Sequence, residues 1–235
     1  MELTAEQVQA FHDQGYLGPL RVCSTGEMAE IRERLEPVIA EGENRWSQRH
    51  LDSRPVYQLC AHPALVDTIR SVLGPDLVLW STKFRVKYPG AREIPWHQDA
   101  PYWQIEPLIN VSAWLAIDDV DAENSCVQVI PGSHRETLPH LPPPPDAHQD
   151  FTLAADPACY REQDAVSMVM RAGECFLFSE RMLHGSSANR SGRRRAALTI
   201  RVTTPLVKIR QSGHERVILL QGRDEYRLNL VVAPP

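Results

Sequence analysis

The sequence has 235 residues, of which 43% are hydrophobic and 23% are charged, as in ordinary globular proteins. Its formal net charge of -5 gives no indication of a nucleic-acid or membrane partner. No apolar run approaches the length needed to cross a bilayer, and the first residues lack the pattern of a signal peptide.

The first part of the sequence contains helix signals. Hydroxyl residues stand three positions before Gln7 and Glu27, which is the capping-box pattern of a helix start. The first predicted helix ends near Gly15. The second is predicted to bury one apolar face, made of Met28, Ile31, Leu35, Val38 and Ile39. A third helix is predicted to begin at Pro63 and to end before Gly74.

From residue 76 onward the sequence changes to short β-prone runs separated by turn signals. Strands are predicted over 77–88, 110–117, 127–130, 165–170, 175–178, 196–204 and 216–220. Helices followed by many short strands indicate a mainly β protein with flanking helices. We interpret residues 1–235 as one domain, with helices over about 4–73 and a β core over about 76–235, because all-β domains of this length often stay undivided.

A polar, proline-rich segment interrupts the β region from residue 135 to residue 164. Its four consecutive prolines, 142–145, cannot join a sheet ladder because they have no N–H donors. A loop this long in a compact domain usually covers a site, binds a ligand or is disordered. We predict a lid over a site; a mobile excursion without a role is the alternative. Arg161 in this segment is a candidate contact for an anionic group of a substrate.

The cysteines are few and scattered. They number five, form no C-x-x-C pair, and stand at Cys23, Cys60, Cys126, Cys159 and Cys175. This pattern argues against a structural zinc site and against the disulfide framework of a secreted protein. We therefore expect a cytoplasmic protein with reduced thiols.

Two distant segments suggest a metal site. On an extended backbone, residues two positions apart point the same way, so His97 and Asp99 would present an imidazole and a carboxylate side by side. An H-x-D pair alone is common, but a second apolar run is followed by a polar loop that carries His184. Two histidines and one carboxylate leave coordination positions open for a co-substrate and dioxygen, which is typical of non-haem iron(II) oxygenases.

An arginine downstream of His184 could hold an organic acid. Arg195 follows on the next predicted strand, and a guanidinium can grip a carboxylate through two parallel hydrogen bonds. Strand alternation places Arg193 on the same face, so Arg193 is an alternative to Arg195.

Five motifs between residues 11 and 201 point to one family. They are F-x-x-x-G-Y at 11–16, W-H-Q-D at 96–99, W-x-A-x-D-D at 114–119, V-x-P-G-S-H at 129–134, and H-x-S-x-x-N-x-S at 184–191 followed by Arg195. In these motifs the sequence resembles the phytanoyl-CoA dioxygenase family of iron(II)/2-oxoglutarate-dependent oxygenases. It departs from the family at Ser125, where a glycine usually follows Asn124.

The resemblance implies a double-stranded β-helix (jelly-roll, cupin-like) core with Fe(II) held by His97, Asp99 and His184. It also implies that Arg195 pairs with the far carboxylate of the co-substrate 2-oxoglutarate, with help from Ser186. Three further residues are expected to line the co-substrate pocket: Lys87, Gln98 and Trp114. Dioxygen is the second co-substrate, and hydroxylation of a small organic molecule or natural-product intermediate would release succinate and CO2.

Asp99 bears on the type of reaction. Related halogenases have glycine or alanine in its place, which opens a position for chloride, so the carboxylate favours hydroxylation. Tyr102 and Trp103 follow closely and are candidate substrate contacts, with a place in the core as the alternative. His134 is expected to pack or hydrogen-bond and not to bind the metal. A non-catalytic jelly-roll that binds a ligand, and a cupin-type metal enzyme that does not use 2-oxoglutarate, are the alternative functions.

Overall fold

The computed structural model describes residues 2–143 and 152–235, which include four α-helices and fifteen β-strands. The helices are α1 (Ala5–Gln14), α2 (Thr25–Ile39), α3 (Arg54–Cys60) and α4 (Pro63–Leu73). The strands are β1 (Tyr16–Arg21), β2 (Leu77–Lys87), β3 (Ile94–His97), β4 (Ile105–Glu106), β5 (Val111–Ala116), β6 (Gln128–Val129), β7 (His140–Leu141), β8 (Ala154–Ala155), β9 (Val166–Ser167), β10 (Glu174–Ser179), β11 (His184–Ser186), β12 (Arg195–Thr203), β13 (Lys208–Ile209), β14 (Arg216–Gln221) and β15 (Leu230–Val231).

Most strands belong to two sheets. The larger sheet has the order β1-β10-β5-β12-β2-β14-β15, and the smaller sheet has the order β3-β11-β6-β9. Neighbouring strands are antiparallel except for β14 and β15, which run parallel. The prediction of a mainly β protein with flanking helices is confirmed. None of the described helices is both long and apolar enough to span a membrane.

Side-chain alternation in the larger sheet produces two apolar layers. On β10, Cys175 and Leu177 belong to the cluster that includes the helices, whereas Phe176 and Phe178 belong to a second cluster with Val129 of the smaller sheet. Such a period of two is what an extended strand imposes on a sheet covered on both faces. The helices therefore pack on one face of the larger sheet, and its other face looks toward the smaller sheet.

The helices follow their sequence signals closely. The side chain of Thr4 and that of Gln7 form the predicted capping box of α1, and Ser24 caps α2 by accepting from the Glu27 N–H. The five apolar residues predicted for the inner face of α2 are all buried. Helix α3 was not predicted, because it is only seven residues long and shows little periodicity of its own.

Strand β1 was also missed, because a glycine and a proline interrupt its pattern. A Cβ on Gly18 would lie 2.6 Å from the Cβ of Phe176 in the neighbouring strand β10. Glycine at this position therefore allows the two strands to approach closely, and β1 can form the edge of the larger sheet.

Part of the proline-rich segment is folded. Strands β7 and β8 pair antiparallel, and the ring of Tyr160 lies 5.8 Å from that of Trp96 on β3. Residues 144–151, which include part of the proline run, lie outside the described residues. The lid role and the single-domain interpretation stay predictions.

Candidate active site

The three predicted metal ligands come together at one place between the sheets. His97 ends β3 and His184 begins β11, and the two residues are cross-strand partners in the smaller sheet. Ligand atoms of His97, Asp99 and His184 all lie within 4.8 Å of one another. Nε2 of His97 is 3.8 Å from Oδ1 of Asp99, and the two imidazole rings are 4.2 Å apart between centroids. Two imidazoles and a carboxylate in this arrangement suit a divalent transition metal.

Backbone hydrogen bonds orient both imidazoles. Nδ1 of His97 lies 2.8 Å from the carbonyl of Pro95, and Nδ1 of His184 lies 2.9 Å from that of Met182. With Nδ1–H donating to a carbonyl, the lone pair is on Nε2, the atom that faces the cluster. This outer set of contacts is common around metal-binding histidines because it fixes both the tautomer and the ring orientation.

Two details of the sequence argument are corrected by the backbone. Strand β3 ends at His97, and Asp99 has helical angles of φ -71° and ψ -33° at the start of a 3-10 turn. The carboxylate therefore reaches His97 through a turn and not through the alternation of an extended strand. His184, assigned to a polar loop, belongs to a strand instead, because it pairs with β3 on one side and β6 on the other.

A residue that the sequence analysis did not single out holds Asp99. Nη2 of Arg201 lies 3.2 and 3.4 Å from the two carboxylate oxygens. Burial alone would raise the pKa of Asp99, but the permanent positive charge of Arg201, with a smaller contribution from Arg85, lowers it to about 2. The carboxyl is therefore ionised at any physiological pH, as a metal ligand must be.

Burial has the opposite consequence for the two histidines. It lowers the pKa of His97 well below the ordinary value, with a further contribution from His184, and it also lowers the pKa of His184. Both rings are therefore neutral near pH 7. Neutral imidazole is the form that binds a metal.

A narrow cavity leads from this cluster to Arg195. Its lining includes Trp114, Ser186 and Thr199 together with the three candidate ligands. Arg195 is 1% exposed, its Nη1 donates to the carbonyl of Ser125 at 2.9 Å, and its guanidinium lies 5.2 Å from the Trp114 ring centroid. Its Nε is buried without a hydrogen-bond partner. A buried, incompletely paired guanidinium is the donor set that a carboxylate ligand would complete.

Lys87 lies beside Arg195 across the β2–β12 pair. Its ammonium donates to the hydroxyls of Ser125 and Ser186, each at 2.9 Å, and to the carbonyl of Ser187 at 2.7 Å. Burial, followed by the charge of Arg195, lowers the pKa of Lys87 to about 7. The two basic groups and Ser186 thus form one buried polar cluster.

Ser125, the departure from the family pattern, belongs to this cluster. Its φ of 77° is in the left-handed region, where glycine is the residue without steric cost. The side-chain hydroxyl, which a glycine would lack, accepts from the Lys87 ammonium and donates to the Ser187 carbonyl. Serine therefore adds hydrogen bonds at a position where it also strains the backbone.

The alternative arginine is excluded by its surroundings. Arg193 is exposed and pairs with Asp121 at 2.7 Å, whereas Arg194 pairs with Glu36 and Asp118. Only Arg195 of the three lines the narrow cavity.

Gln98 does not line the co-substrate pocket as expected. Its side-chain nitrogen donates to the carbonyls of Arg181 at 2.6 Å and Glu136 at 2.8 Å, and its oxygen accepts from the Leu138 N–H at 2.8 Å. The amide is fully buried, and backbone groups of two loops take its hydrogen bonds. Gln98 is therefore a structural residue, which holds the proline-rich segment against the metal-binding turn.

His134 and Arg161 also take structural positions. Nε2 of His134 lies 2.9 Å from the carbonyl of His12, so it joins α1 to the loop after β6 and stands apart from the candidate ligands, as expected. Arg161 is exposed and pairs with Asp164 at 2.7 Å.

Tyr102 and Trp103 line a second cavity of about 210 Å³. Its lining residues are Ser47, Trp80, Ser81, Thr82, Lys83, Arg85, Asp99, Tyr102, Trp103, Arg201, Gln211 and His214. The guanidinium of Arg201 lies 4.8 Å from the ring centroid of Trp103, and the Tyr102 hydroxyl donates to the carbonyl of Leu153 at 2.6 Å. The predicted substrate contacts therefore face open space next to the candidate metal ligands.

The chain is similar to several curated oxygenases. The dioxygenase lolE1 of Epichloe uncinata is 28% identical over 61% of this chain and 53% of that protein. The peroxisomal phytanoyl-CoA dioxygenase of Bos taurus is 26% identical over 63% of this chain and 46% of that protein. This chain thus spans about half the length of these two relatives. The ectoine dioxygenase of Bordetella parapertussis is 26% identical over 80% of this chain and 71% of that protein.

Solved structures share the fold over nearly the whole chain. The non-haem monooxygenase ThoJ is 26% identical with a TM-score of 0.80, covering 97% of this chain and 88% of ThoJ. CytC3 with Fe(II) and alpha-ketoglutarate is 21% identical with a TM-score of 0.77, and the match covers 98% of this chain and 94% of CytC3. These likenesses confirm the predicted jelly-roll core. The profile of the family described as "Phytanoyl-CoA dioxygenase (PhyH)" matches residues 11–197, and the chain therefore belongs to this family.

Proposed function

We propose that the protein is an iron(II)/2-oxoglutarate-dependent dioxygenase that hydroxylates a small organic molecule or natural-product intermediate and releases succinate and CO2. One observation carries the proposal. A single narrow cavity has the donors of His97, Asp99 and His184 and also a buried, incompletely paired arginine, Arg195, in its lining. Support comes from the relatives, since CytC3 is described with Fe(II) and alpha-ketoglutarate and EctD of S. alaskensis with 2-oxoglutarate and 5-hydroxyectoine.

His97, Asp99 and His184 hold the iron in this proposal. The donor set fits, because both imidazoles are neutral and oriented by backbone carbonyls, and the carboxylate is ionised. When bound, the iron supplies the oxidative chemistry with dioxygen and 2-oxoglutarate. Arg201 keeps the Asp99 carboxylate in place by hydrogen bonds of 3.2 and 3.4 Å. Related halogenases have glycine or alanine where this chain has the carboxylate of Asp99, which favours hydroxylation.

Arg195 holds the far carboxylate of 2-oxoglutarate. Its unpaired Nε supplies a donor, and its guanidinium lies over the Trp114 ring at 5.2 Å from the centroid. Ser186 adds a hydroxyl to the lining of the cavity, and Lys87 lies behind it and donates to that hydroxyl. A carboxylate bound there would offset the positive charge that Arg195 and Lys87 bury next to each other.

The alternative functions account for fewer of these features. A cupin-type metal enzyme without 2-oxoglutarate needs the metal ligands but has no use for the buried pair Arg195 and Lys87. A non-catalytic ligand-binding jelly-roll has no need for two histidines whose Nδ1 atoms are both bonded to carbonyls. The combination of both features favours the dioxygenase.

The test is dioxygen uptake by the Fe(II)-loaded protein with and without 2-oxoglutarate, with succinate measured in the same sample. We expect uptake and succinate to require 2-oxoglutarate even without a known substrate, at the slow rate of uncoupled turnover. His97→Ala and His184→Ala should abolish both signals, and His12→Ala, which changes an exposed histidine on α1, should not. Full activity in both ligand variants would refute the iron site.

The cytoplasm is the compartment we propose for this activity. All five cysteines are free thiols, and four of them are buried. Burial raises the pKa of Cys175 to about 12 and that of Cys23 to about 11, so these thiols stay protonated and unreactive. Fractionation of the source cells with an antibody to the protein tests this assignment, and recovery from an extracellular fraction would contradict it.

A further inference from the structure

The second cavity adjoins the proposed iron site on a side away from the 2-oxoglutarate pocket. It shares Arg85, Asp99 and Arg201 with the narrow cavity, and Arg195 does not line it. Arg195 and Arg201 lie on the same face of β12, six positions apart, which corresponds to about 20 Å along a strand. A molecule in the second cavity would therefore reach Asp99 without occupying the co-substrate position.

Three basic side chains line the second cavity. They carry the ammonium of Lys83 and the guanidinium groups of Arg85 and Arg201. Among the described residues that line it, Asp99 is the only carboxylate, and that group is committed to the metal in the proposed function. Basic side chains thus converge on the space where a substrate would lie, and a lining of this kind favours an anionic ligand.

Arg201 has the geometry of an anion-binding residue. It is 9% exposed, and only its Nη2 makes a hydrogen bond in the described structure, the long contacts to Asp99. Its Nε is buried without a partner. The guanidinium lies over the Trp103 ring, 4.8 Å from its centroid, within the range of a cation–π contact. A buried guanidinium with an unpartnered donor matches a carboxylate or a phosphate, because both accept two parallel hydrogen bonds from arginine.

The walls and the size of the cavity limit the rest of the ligand. Trp80 and Trp103 meet edge to face with ring centroids 5.2 Å apart, and His214 packs on Trp80 at 5.6 Å. These rings offer apolar contact beside the basic groups. A volume of about 210 Å³ is below the roughly 300–1,000 Å³ of sites for drug-sized ligands. A small molecule with an anionic group and an apolar body fits these features.

A third cavity of about 520 Å³, between β3 and the β7–β8 pair, has a different character. Its charged side chains are the acids Glu93 and Glu162, and it meets the narrow cavity at Ile94 and Ser186. Ser186 lies next to Lys87, which is the co-substrate end of the site. This cavity would suit a cationic or neutral ligand, so the charge of a bound molecule distinguishes the two cavities.

From these observations we propose, resting on the proposed function, that the substrate bears an anionic group, a carboxylate or a phosphate. Arg201 holds this group in the second cavity, which Lys83 and Arg85 also line, and the apolar body of the substrate lies against Trp103 and Tyr102.

Calorimetric titration with probes that share one apolar body tests the proposal. The probes are 3-phenylpropionate, phenyl phosphate, the neutral 3-phenylpropionamide and the cationic 3-phenylpropylamine. The protein is kept oxygen-free and loaded with Fe(II) and saturating 2-oxoglutarate, so that 2-oxoglutarate occupies Arg195. We expect at least one anion to bind at least about tenfold more tightly than the amide and the amine, the difference that one charge-assisted hydrogen bond provides. The stronger anion, carboxylate or phosphate, identifies the group.

Variants assign the binding to Arg201. Arg201→Gln should weaken the anionic probe at least about tenfold, and Arg216→Gln, at an exposed position at the start of β14, should leave it unchanged. Lys83→Gln should act in the same direction as Arg201→Gln, and it changes no residue bonded to Asp99 by the contacts described above. Equal binding of amide and anion, tighter binding of the amine, or full affinity in both cavity variants would overturn the proposal.

The two proposals fail in different ways. If the unmodified protein shows no absorption band of the Fe(II)–2-oxoglutarate complex, the proposed function is contradicted, and anion binding can still be measured on the metal-free protein. If the band is present but the probes do not discriminate by charge, only the anionic-substrate proposal is wrong.

Discussion

Adjacent arginines at the start of β12 allow the co-substrate assignment to be separated from a merely structural role. Arg195 is buried in the narrow cavity with one hydrogen bond and an unpaired Nε. Arg194 points the other way, is 23% exposed in its side chain, and makes four hydrogen bonds of 2.6 to 3.0 Å to Glu36 and Asp118. Replacing each by glutamine should therefore affect two different measurements.

Arg195→Gln removes the partner of the far carboxylate of 2-oxoglutarate. Two charge-assisted hydrogen bonds at roughly 1.5–3 kcal/mol each correspond to at least about 3 kcal/mol, or about a hundredfold weaker binding of 2-oxoglutarate. The free energy of unfolding of the ligand-free protein should change by less than about 1 kcal/mol, because the variant also removes a buried charge that is incompletely paired. Burial, followed by Arg85, already lowers the pKa of Arg195 to about 9.

Arg194→Gln should give the reverse pattern. The loss of its ion pairs with Glu36 and Asp118 should cost about 1–3 kcal/mol of unfolding free energy, after allowance for partial exposure. Affinity for 2-oxoglutarate should stay within about twofold, since Arg194 does not line the narrow cavity. Calorimetry gives the 2-oxoglutarate affinity of each variant, and urea unfolding gives its free energy of unfolding. Unchanged 2-oxoglutarate affinity in Arg195→Gln, or equal losses in both variants, would refute the reasoning.

Three further outcomes are expected. Asp99→Ala should abolish 2-oxoglutarate-dependent hydroxylation, and added chloride should not restore turnover; measurable hydroxylation would argue against Asp99 as a ligand. Lys87 has a pKa of about 7 in the folded chain against an ordinary 10.5, so its contribution to stability is present above pH 10.5 and lost as the pH falls through 7. The unfolding free energy should therefore rise between pH 7 and pH 9 by at most about 1.4 kcal/mol per unit, and Lys87→Met, compared in the same buffers, should flatten this slope. Gln98→Leu should destabilise the protein by about 2–4 kcal/mol in urea unfolding, because several buried backbone groups lose their partner, and a neutral result would contradict its structural role.

The sequence predicted the parts of the fold that have a pattern of their own. Strands β2, β5, β10 and β12 are each six residues or longer, and their apolar runs are visible without the structure. The two-residue strands β4, β7 and β13 could not be predicted, since so short a strand exists only through its partner. The helix caps were predictable because their hydrogen bonds join residues three positions apart.

The site was predictable where motifs mark it and not where distant residues meet. His97, Asp99 and His184 were expected together, and their ligand atoms lie together. Arg201 lies on the same face of β12 as Arg195. Its contact partner Asp99 is 102 residues away along the chain, and nothing in a single sequence indicates such a pairing. For Gln98, the resemblance suggested a pocket position, whereas the partners that take its amide are backbone groups, which leave no pattern in the sequence.

The central claim is that one cavity binds iron through His97, Asp99 and His184 and 2-oxoglutarate through Arg195. An oxygen-free titration measured by visible absorption tests it most directly. The account predicts a weak charge-transfer band that needs both Fe(II) and 2-oxoglutarate, that disappears in His184→Ala, and that in Arg195→Gln requires about a hundredfold more 2-oxoglutarate. No band in the unmodified protein at saturating Fe(II) and 2-oxoglutarate, or an unchanged band in His184→Ala, would contradict the account.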